Sequence, residues 1–138
     1  MFLLNIHRLQ KRALKVCCDD KKVKSDSLFG ILKKLTVKNI NSLQVGQLVH
    51  RFYYNLCVLP LGIASLFEKS SDVHGHLTRA ANNMSLFCYF GRLNIRKNSV
   101  KIFAPLLWNS IPVLLRQIAS IVLFKKKYKY FLLNLPSD

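Results

Sequence analysis

The stretch Phe103-Ala-Pro-Leu-Leu-Trp-Asn-Ser-Ile-Pro112 is the part of this sequence that says most about the fold. It contains the only tryptophan of the chain, Trp108, and two of its four prolines. An indole in such an apolar block is expected to be buried, and Pro112 is expected to stop one helix and to open the next. The block therefore predicts a structural anchor, which consists of Pro105, Trp108, Asn109 and Pro112, with the Trp108 ring buried.

A basic helix is predicted to follow this block. Ser120 is a suitable cap, and apolar residues recur after it with the spacing of one helical face. These residues are Ile121, Phe124, Tyr128, Phe131 and Leu132. Four lysines lie among them, namely Lys125, Lys126, Lys127 and Lys129. The aromatic rings can pack inward while the ammonium groups either reach phosphates or form a solvated face.

The charge balance favours a polyanionic partner. The 138 residues include 22 Lys and Arg but only 6 Asp and Glu, which gives a formal net charge of +16. Such an excess creates a positive potential over much of the surface. Nucleic acid is therefore the preferred partner, and an anionic membrane surface is the main alternative. Hydrophobic residues make up 51% of the chain, which argues against intrinsic disorder and for a core.

The N-terminal segment has the pattern of a basic amphipathic helix. Its apolar residues recur at steps of three or four, as expected for one face of a helix. They are Phe2, Ile6, Leu9, Ala13, Val16 and Cys17. The basic residues share another face and are Arg8, Lys11, Arg12 and Lys15. We expect the apolar face to pack in the core, while the basic face either contacts nucleic acid or is simply solvated.

The chain is expected to divide into three segments. Residues 1–18 form the basic amphipathic helix, residues 19–27 a polar linker and residues 28–138 a helical C-terminal domain. The predicted fold class is mainly α, a small single-domain helical bundle of about five or six helices.

Within the third segment, a few local signals mark the elements. Thr36 is a suitable helix cap, Pro60 turns the chain into a short helix, and residues 68–83 lack periodicity and are expected to form a loop. Apolar and polar residues alternate in parts of 84–104, so this region is expected to be extended and can form a short β-hairpin.

Several short motifs, taken in order, resemble a known family. They are Leu9-Gln-Lys-Arg-Ala-Leu14, Leu59-Pro60, His74-Gly-His-Leu-Thr-Arg79, Trp108-Asn-Ser-Ile-Pro112 and the Phe124-Lys helix. Together they resemble the segment downstream of the polymerase domain in the reverse transcriptases of LINE-type non-LTR retrotransposons. Two positions depart from that pattern: His76 stands where Tyr is usual, and Ala104 where Gly is usual.

The resemblance implies a non-catalytic, nucleic-acid-binding C-terminal fragment of a retrotransposon RNA-directed DNA polymerase. Such a fragment would lie beside the upstream polymerase domain and assist template or target binding in target-primed reverse transcription. Whether RNA or DNA is contacted stays open. The residues expected to contact nucleic acid are Arg8, Lys11, Arg12, Lys15, Arg79, Arg96, Lys97, Lys125, Lys126, Lys127 and Lys129.

The sequence does not predict an enzyme. The family's polymerase site uses an aromatic-x-Asp-Asp turn, whereas the only Asp pair here, Asp19-Asp20, follows Cys17-Cys18 in a basic linker. The other acidic residues are too scattered to form a two-metal site. We therefore expect no catalytic residue, no cofactor and no small-molecule substrate.

A metal site is not predicted either. The four cysteines Cys17, Cys18, Cys57 and Cys88 lack the spacing of zinc ligands, and a third ligand is missing near His74-x-His76. The cysteines are expected to be reduced and to pack as small hydrophobic residues.

Two other functions remain open at this stage. The chain can be a basic helical module for protein interaction or for a membrane surface, or a decayed element remnant without function. Mutual burial of the apolar stripes would argue against lipid insertion. The sequence has no apolar run of about 18 residues and no signal peptide, so we expect no transmembrane segment and an intracellular location, nuclear or cytoplasmic.

Overall fold

The computed structural model describes residues 2–18, 25–56, 59–73, 83–93, 96 and 98–135, without the side chains of residues 2, 3 and 25–27. The helices in these ranges are α1 (Phe2–Cys18), α2 (Ser25–Ile31), α3 (Val37–Tyr53), α4 (Leu61–Ala64), α5 (Ser70–Val73), α6 (Val100–Ser110), α7 (Val113–Arg116) and α8 (Ile121–Leu133). The only β-pairing in these ranges is a single antiparallel bridge between Lys69 and Leu86. The predicted mainly α class is therefore confirmed.

The helices belong to two compact units. One comprises residues 1–43 and 126–138, and the other comprises residues 44–125. Helices α3 and α8 each contribute residues to both. The division into segments 1–18, 19–27 and 28–138 follows the local character of the sequence and stays a prediction.

In the first unit, α1 is held by polar contacts. The side-chain Nε2 of Gln10 donates to the carbonyl oxygen of Leu35 at 2.9 Å, and its Oε1 accepts the backbone N–H of Val37 at 3.1 Å. One turn earlier, the His7 ring stacks on Phe29 with a centroid distance of 5.6 Å. Gln10 thus satisfies backbone groups at the α2–α3 connection and fixes the rotation of α1 about its axis.

The predicted inward face of α1 is wrong. Leu9 is 62% exposed and Val16 is 82% exposed, and Ile6, Ala13 and Cys17 are exposed as well. The half-buried side of the helix instead carries His7, Gln10, Lys11, Leu14 and Cys18. The side chain of Phe2 lies outside the described residues. The contacts of His7 and Gln10 with residues 29–37 therefore decide which side of α1 packs, and the apolar stripe faces solvent.

Helices α2 and α3 follow the sequence signals more closely. The hydroxyl of Thr36 accepts the backbone N–H of Asn39 at 3.3 Å, so the predicted cap of α3 is confirmed. The recurring apolar residues of this part of the chain would be expected to face inward. The side chains of Leu28, Leu35 and Leu43 are buried, whereas Ile31, Ile40 and Leu56 are exposed.

The core of the second unit is an aromatic cluster around Trp108. The Trp108 side chain is 0% exposed, as the sequence predicted. Its ring lies 5.9 Å from Tyr53, 5.9 Å from Phe124 and 6.3 Å from His50, between ring centroids. Helices α3, α6 and α8 therefore meet at this indole.

The Trp-Asn pair also fixes a segment of extended chain. The indole N–H of Trp108 donates to the carbonyl oxygen of Met84 at 2.8 Å. The Asn109 side chain accepts the backbone N–H of Leu86 at 2.9 Å and donates to its carbonyl oxygen at 2.8 Å, as a neighbouring strand would. Both residues of the dipeptide therefore satisfy backbone groups of the extended segment, at Met84 and at Leu86.

The extended conformation expected up to residue 104 is wrong for its last part, because Val100 starts α6. The helix thus begins five residues before Pro105, which lies inside it without a backbone N–H to donate. Ala104 is buried in the same helix. It is not among the non-glycine residues with positive φ in the described part of the chain, which are Lys33, Asn55 and Met84. Alanine at position 104 is therefore unstrained. Helix α5, similarly, lies in the segment expected to be a loop.

The helix break predicted at Pro112 agrees with the structure. Ile111 has an extended backbone, with φ −70° and ψ 135°, as the residue before a proline usually does. Helix α6 ends there, and Pro112 caps α7 at its start. The two helices are therefore separated by this single Ile-Pro step.

We predict that Trp108→Ala lowers the free energy of unfolding by about 3–5 kcal/mol, because it opens a cavity and leaves the Met84 carbonyl without its donor. Chemical denaturation measures this loss. Trp108→Phe should cost less, since it keeps an aromatic ring. Leu114→Ala, at a residue that is 81% exposed, should change stability by less than about 0.5 kcal/mol. Equal stability of all three variants would contradict the anchor.

Candidate nucleic-acid interface

The solvent side of α8 carries the densest group of cations among the described residues. Phe124, Tyr128 and Leu132 recur every four residues and are buried, which turns the rest of the helix outward. The exposed lysines are Lys125, Lys126, Lys127 and Lys129. The helix contains no acidic residue. The four lysines therefore form an exposed surface of one sign of charge.

Two of the lysines lie next to an exposed aromatic ring. Tyr130 is 70% exposed and follows Lys126 by four residues and Lys127 by three, so the three side chains are neighbours on the helix surface. Lys125 and Lys129 form a second pair at a spacing of four. A ring between ammonium groups can stack on a base while the cations contact phosphates.

The basic residues between α5 and α6 form a less complete group. Arg92 and Arg96 are exposed, whereas Arg79 and Lys97 lie outside the described residues. The ammonium group of Lys101 lies 4.1 Å from the centroid of the Tyr89 ring, so it already has a cation–π partner. Of the three residues expected to contact nucleic acid in this part of the chain, Arg79, Arg96 and Lys97, the structure describes only Arg96.

The basic residues of α1 lie on a separate surface. Arg8, Arg12 and Lys15 are exposed, and Lys11 is half-buried. A shallow depression that is open to solvent is lined by Asn5, Arg8, Leu9, Lys11 and Arg12. This surface combines cations with an exposed leucine, unlike the lysine-and-tyrosine surface of α8.

Two buried polar side chains in the second unit were not predicted from the sequence. His50 is 0% exposed; its Nε2 donates to the Ile118 carbonyl oxygen at 2.6 Å, and its Nδ1 has no hydrogen-bond partner. Arg116 is also buried; its Nη1 donates to the Ser85 hydroxyl at 3.1 Å, while its Nε has no partner. Burial lowers the pKa of both side chains.

These two side chains lie among the aromatic rings of the core. The ring of Phe124 lies 4.4 Å from the His50 ring, and that of Tyr54 lies 4.7 Å from it, so the imidazole is shielded from solvent. The Tyr54 hydroxyl donates to the Arg116 carbonyl oxygen at 2.9 Å. The cluster thus fixes the α3, α7 and α8 segments of the second unit.

The described residues contain no group of three His, Cys, Asp or Glu side chains that could hold a metal ion. Cys17, Cys18 and Cys88 are free thiols, and Cys17 and Cys88 are exposed, so the expected burial of cysteines is wrong for these two. The other metal and catalytic candidates of the sequence, Cys57, His74, His76 and the Asp19-Asp20 pair, lie outside the described residues. Within the described ranges, no helix has the length and apolar character needed to cross a bilayer.

Comparison of the chain with protein-family models, with curated proteins and with solved structures finds no match. The resemblance to retrotransposon reverse transcriptases therefore depends on the quoted sequence motifs alone. The candidate functional surfaces of the described chain are therefore those of α1 and α8.

Sequence periodicity identified the lysine face of α8 and the apolar face of α1. It wrongly predicted, however, that the apolar face of α1 is buried. A weaker signal for the packing side of α1 was present, because His7, Gln10, Leu14 and Cys18 also recur at steps of three or four. That face mixes polar and apolar residues, so a pattern of hydrophobicity does not select it.

We predict that the buried His50 makes stability sensitive to acid. Because burial lowers its pKa, the folded state keeps His50 neutral, while the unfolded chain takes up a proton below about pH 6.5. Stability should therefore fall as the pH drops below that value, by at most about 1.4 kcal/mol per pH unit from this group. Denaturation midpoints between pH 7.5 and 5 measure the effect.

The matched control is His50→Gln, whose amide can still donate to the Ile118 carbonyl but does not titrate. All other ionisable groups are shared, so the difference between the two pH profiles isolates His50. A variant that loses as much stability on acidification as the original chain would refute the prediction.

Proposed function

We propose that this chain binds nucleic acid through the solvent side of α8 and has no catalytic role of its own. The observation that carries the proposal is the set of four exposed lysines on α8, two of which, Lys126 and Lys127, lie one turn before the exposed Tyr130, on a helix whose other side is buried. Such a surface can approach a phosphate backbone without any change in the core. RNA and DNA both present that backbone.

Electrostatics supports a partner of this kind. The formal net charge of +16 attracts polyanions over a long range. The four lysines of α8 lie within a length of about 6 Å along the helix axis. Each lysine that neutralises a phosphate releases condensed counterions, which makes binding depend steeply on salt. The predicted affinity is therefore high at low ionic strength.

The same residues argue for little sequence preference. Lysine acts as a point charge toward phosphates, whereas base discrimination relies on fixed, often bidentate hydrogen bonds to base edges. Tyr130 adds stacking, which every base accepts. Binding of single-stranded RNA, single-stranded DNA or duplex DNA is thus expected to depend on charge and strand form more than on sequence.

The order of the quoted motifs supports a more specific role. A segment of a LINE-type reverse transcriptase downstream of the polymerase domain would hold template RNA or target DNA during target-primed reverse transcription. Its partners would be nucleic acid and the polymerase domain, in the nucleus or the cytoplasm. The proposal assigns positioning to this chain and chemistry to the polymerase domain.

We predict that replacing Lys125, Lys126, Lys127 and Lys129 by Gln flattens the salt dependence of nucleic-acid binding. The slope of log K against log salt should fall by up to about 0.9 per lost contact on duplex DNA and about 0.7 on a single strand. Fluorescence anisotropy at several salt concentrations, with RNA and DNA of mixed sequence, measures both slopes.

The control replaces four other exposed cations, Lys33, Lys34, Arg51 and Arg92, by Gln. Both variants lose the same charge, so any difference between their slopes reports on position. The α8 variant should lose clearly more. If the two variants lose equal slope, the α8 lysines are only a solvated face; circular dichroism verifies that both remain helical.

A further inference from the structure

Helix α1 presents three different faces, each about a third of a turn from the next. The docked face is half-buried and carries His7, Gln10, Leu14 and Cys18. The apolar face is exposed and carries Ile6, Leu9, Ala13 and Val16. The basic face is also exposed and carries Arg8, Arg12 and Lys15. Because α1 packs with this mixed polar and apolar side, its apolar side has no partner in the described chain.

We infer that the apolar face of α1 docks on the surface of an anionic phospholipid bilayer, with the basic face contacting the headgroups. This goes beyond the proposed function, because it gives α1 a partner that the α8 lysines do not require. The inference depends on the exposure of the apolar face and on the charge that accompanies it.

The exposure is maintained by specific contacts. The two hydrogen bonds of Gln10 with Leu35 and Val37 fix the rotation of α1, so Leu9 and Val16 cannot turn inward without breaking them. The apolar face extends for about 15 Å along the axis from Ile6 to Val16. A continuous stripe of aliphatic side chains in water is a feature of interaction surfaces.

Charge complementarity selects an anionic lipid surface. Helix α1 contains four Lys and Arg and no acidic residue. The depression lined by Arg8, Lys11, Arg12 and Leu9 places cations next to an apolar side chain, as a lipid phosphate above an acyl chain requires.

Two other occupants fit these residues less well. A second copy of the chain, in a symmetric contact through α1, would bring the same cations of both copies together without acids to offset them. Nucleic acid can pair its phosphates with the cations, but it does not bury an aliphatic stripe, because bases stack on aromatic rings or on Arg.

The geometry suits a helix that lies in the interface. With the apolar face toward the acyl chains, the docked and basic faces both point obliquely away from the bilayer. The long side chains of Arg8, Arg12 and Lys15 can then extend to the headgroups. The rest of the first unit remains on the aqueous side, next to the docked face.

Flotation of the full chain with phospholipid vesicles, with and without phosphatidylserine, tests the inference. The chain should float with phosphatidylserine vesicles, and Leu9→Gln combined with Val16→Gln should lower the partition coefficient by at least about tenfold. The matched control combines Leu61→Gln and Leu114→Gln, at residues that are 88% and 81% exposed but lie outside α1. The control should float as the original chain does.

A second variant tests the charges. Replacing Arg8, Arg12 and Lys15 by Gln should lower partition into phosphatidylserine vesicles by roughly fivefold per residue and should matter little for neutral vesicles. The inference is overturned if the original chain does not float, or if the Leu9 and Val16 variant floats equally well.

Two further results would assign the apolar face to another occupant and overturn the inference as well. One is a dimer in sedimentation equilibrium that the Leu9 and Val16 variant loses. The other is a loss of nucleic-acid affinity in that variant. An unchanged salt slope of nucleic-acid binding in the same variant keeps the two proposals separate, because either one can then fail without the other.

Discussion

The packing of aromatic rings around Trp108 is the constraint on which the second unit depends. Phe124 lies 5.9 Å from Trp108 and 4.4 Å from His50, between ring centroids, so the start of α8 is fixed against α3 and α6. Since Phe124 faces inward, helical periodicity turns Lys125, Lys126, Lys127 and Lys129 outward. The chemistry of the surface thus follows from the packing of the core.

A polar contact has the corresponding role in the first unit. Gln10 pairs with backbone groups of residues 35 and 37 and thereby sets the rotation of α1. The result is an unusual distribution of residues, with a side of mixed polarity packed and the apolar stripe exposed. The net stability from one such hydrogen-bonded pair is only about 1–3 kcal/mol, so the exposed stripe is maintained by a modest preference. A partner for that stripe would add to the stability of this arrangement.

Local sequence signals predicted the elements whose causes are local. The Thr36 cap and the Ile111-Pro112 break depend on residues within a turn or two, and the structure agrees with both. The burial of Trp108 was predicted from its apolar surroundings in the sequence, although the rings that cover it, Tyr53 and Phe124, are distant along the chain. The predictions failed where distant contacts decide. The rotation of α1 depends on the hydrogen bonds of Gln10 with Leu35 and Val37, which follow it by 25 and 27 residues. The role of Asn109 depends on Leu86, which precedes it by 23 residues. Val100 and Ile102 have the β-branched character of a strand but form the first turn of α6.

We propose that the α8 lysines, and not the basic surface in general, contact nucleic acid. Lysine acetylation followed by mass spectrometry, with and without saturating nucleic acid at moderate salt, tests it residue by residue. The account predicts that nucleic acid protects Lys125, Lys126, Lys127 and Lys129, while Lys33 and Lys34, which are exposed outside α8, react as before. Equal protection of both groups, or protection that spares α8, would contradict it.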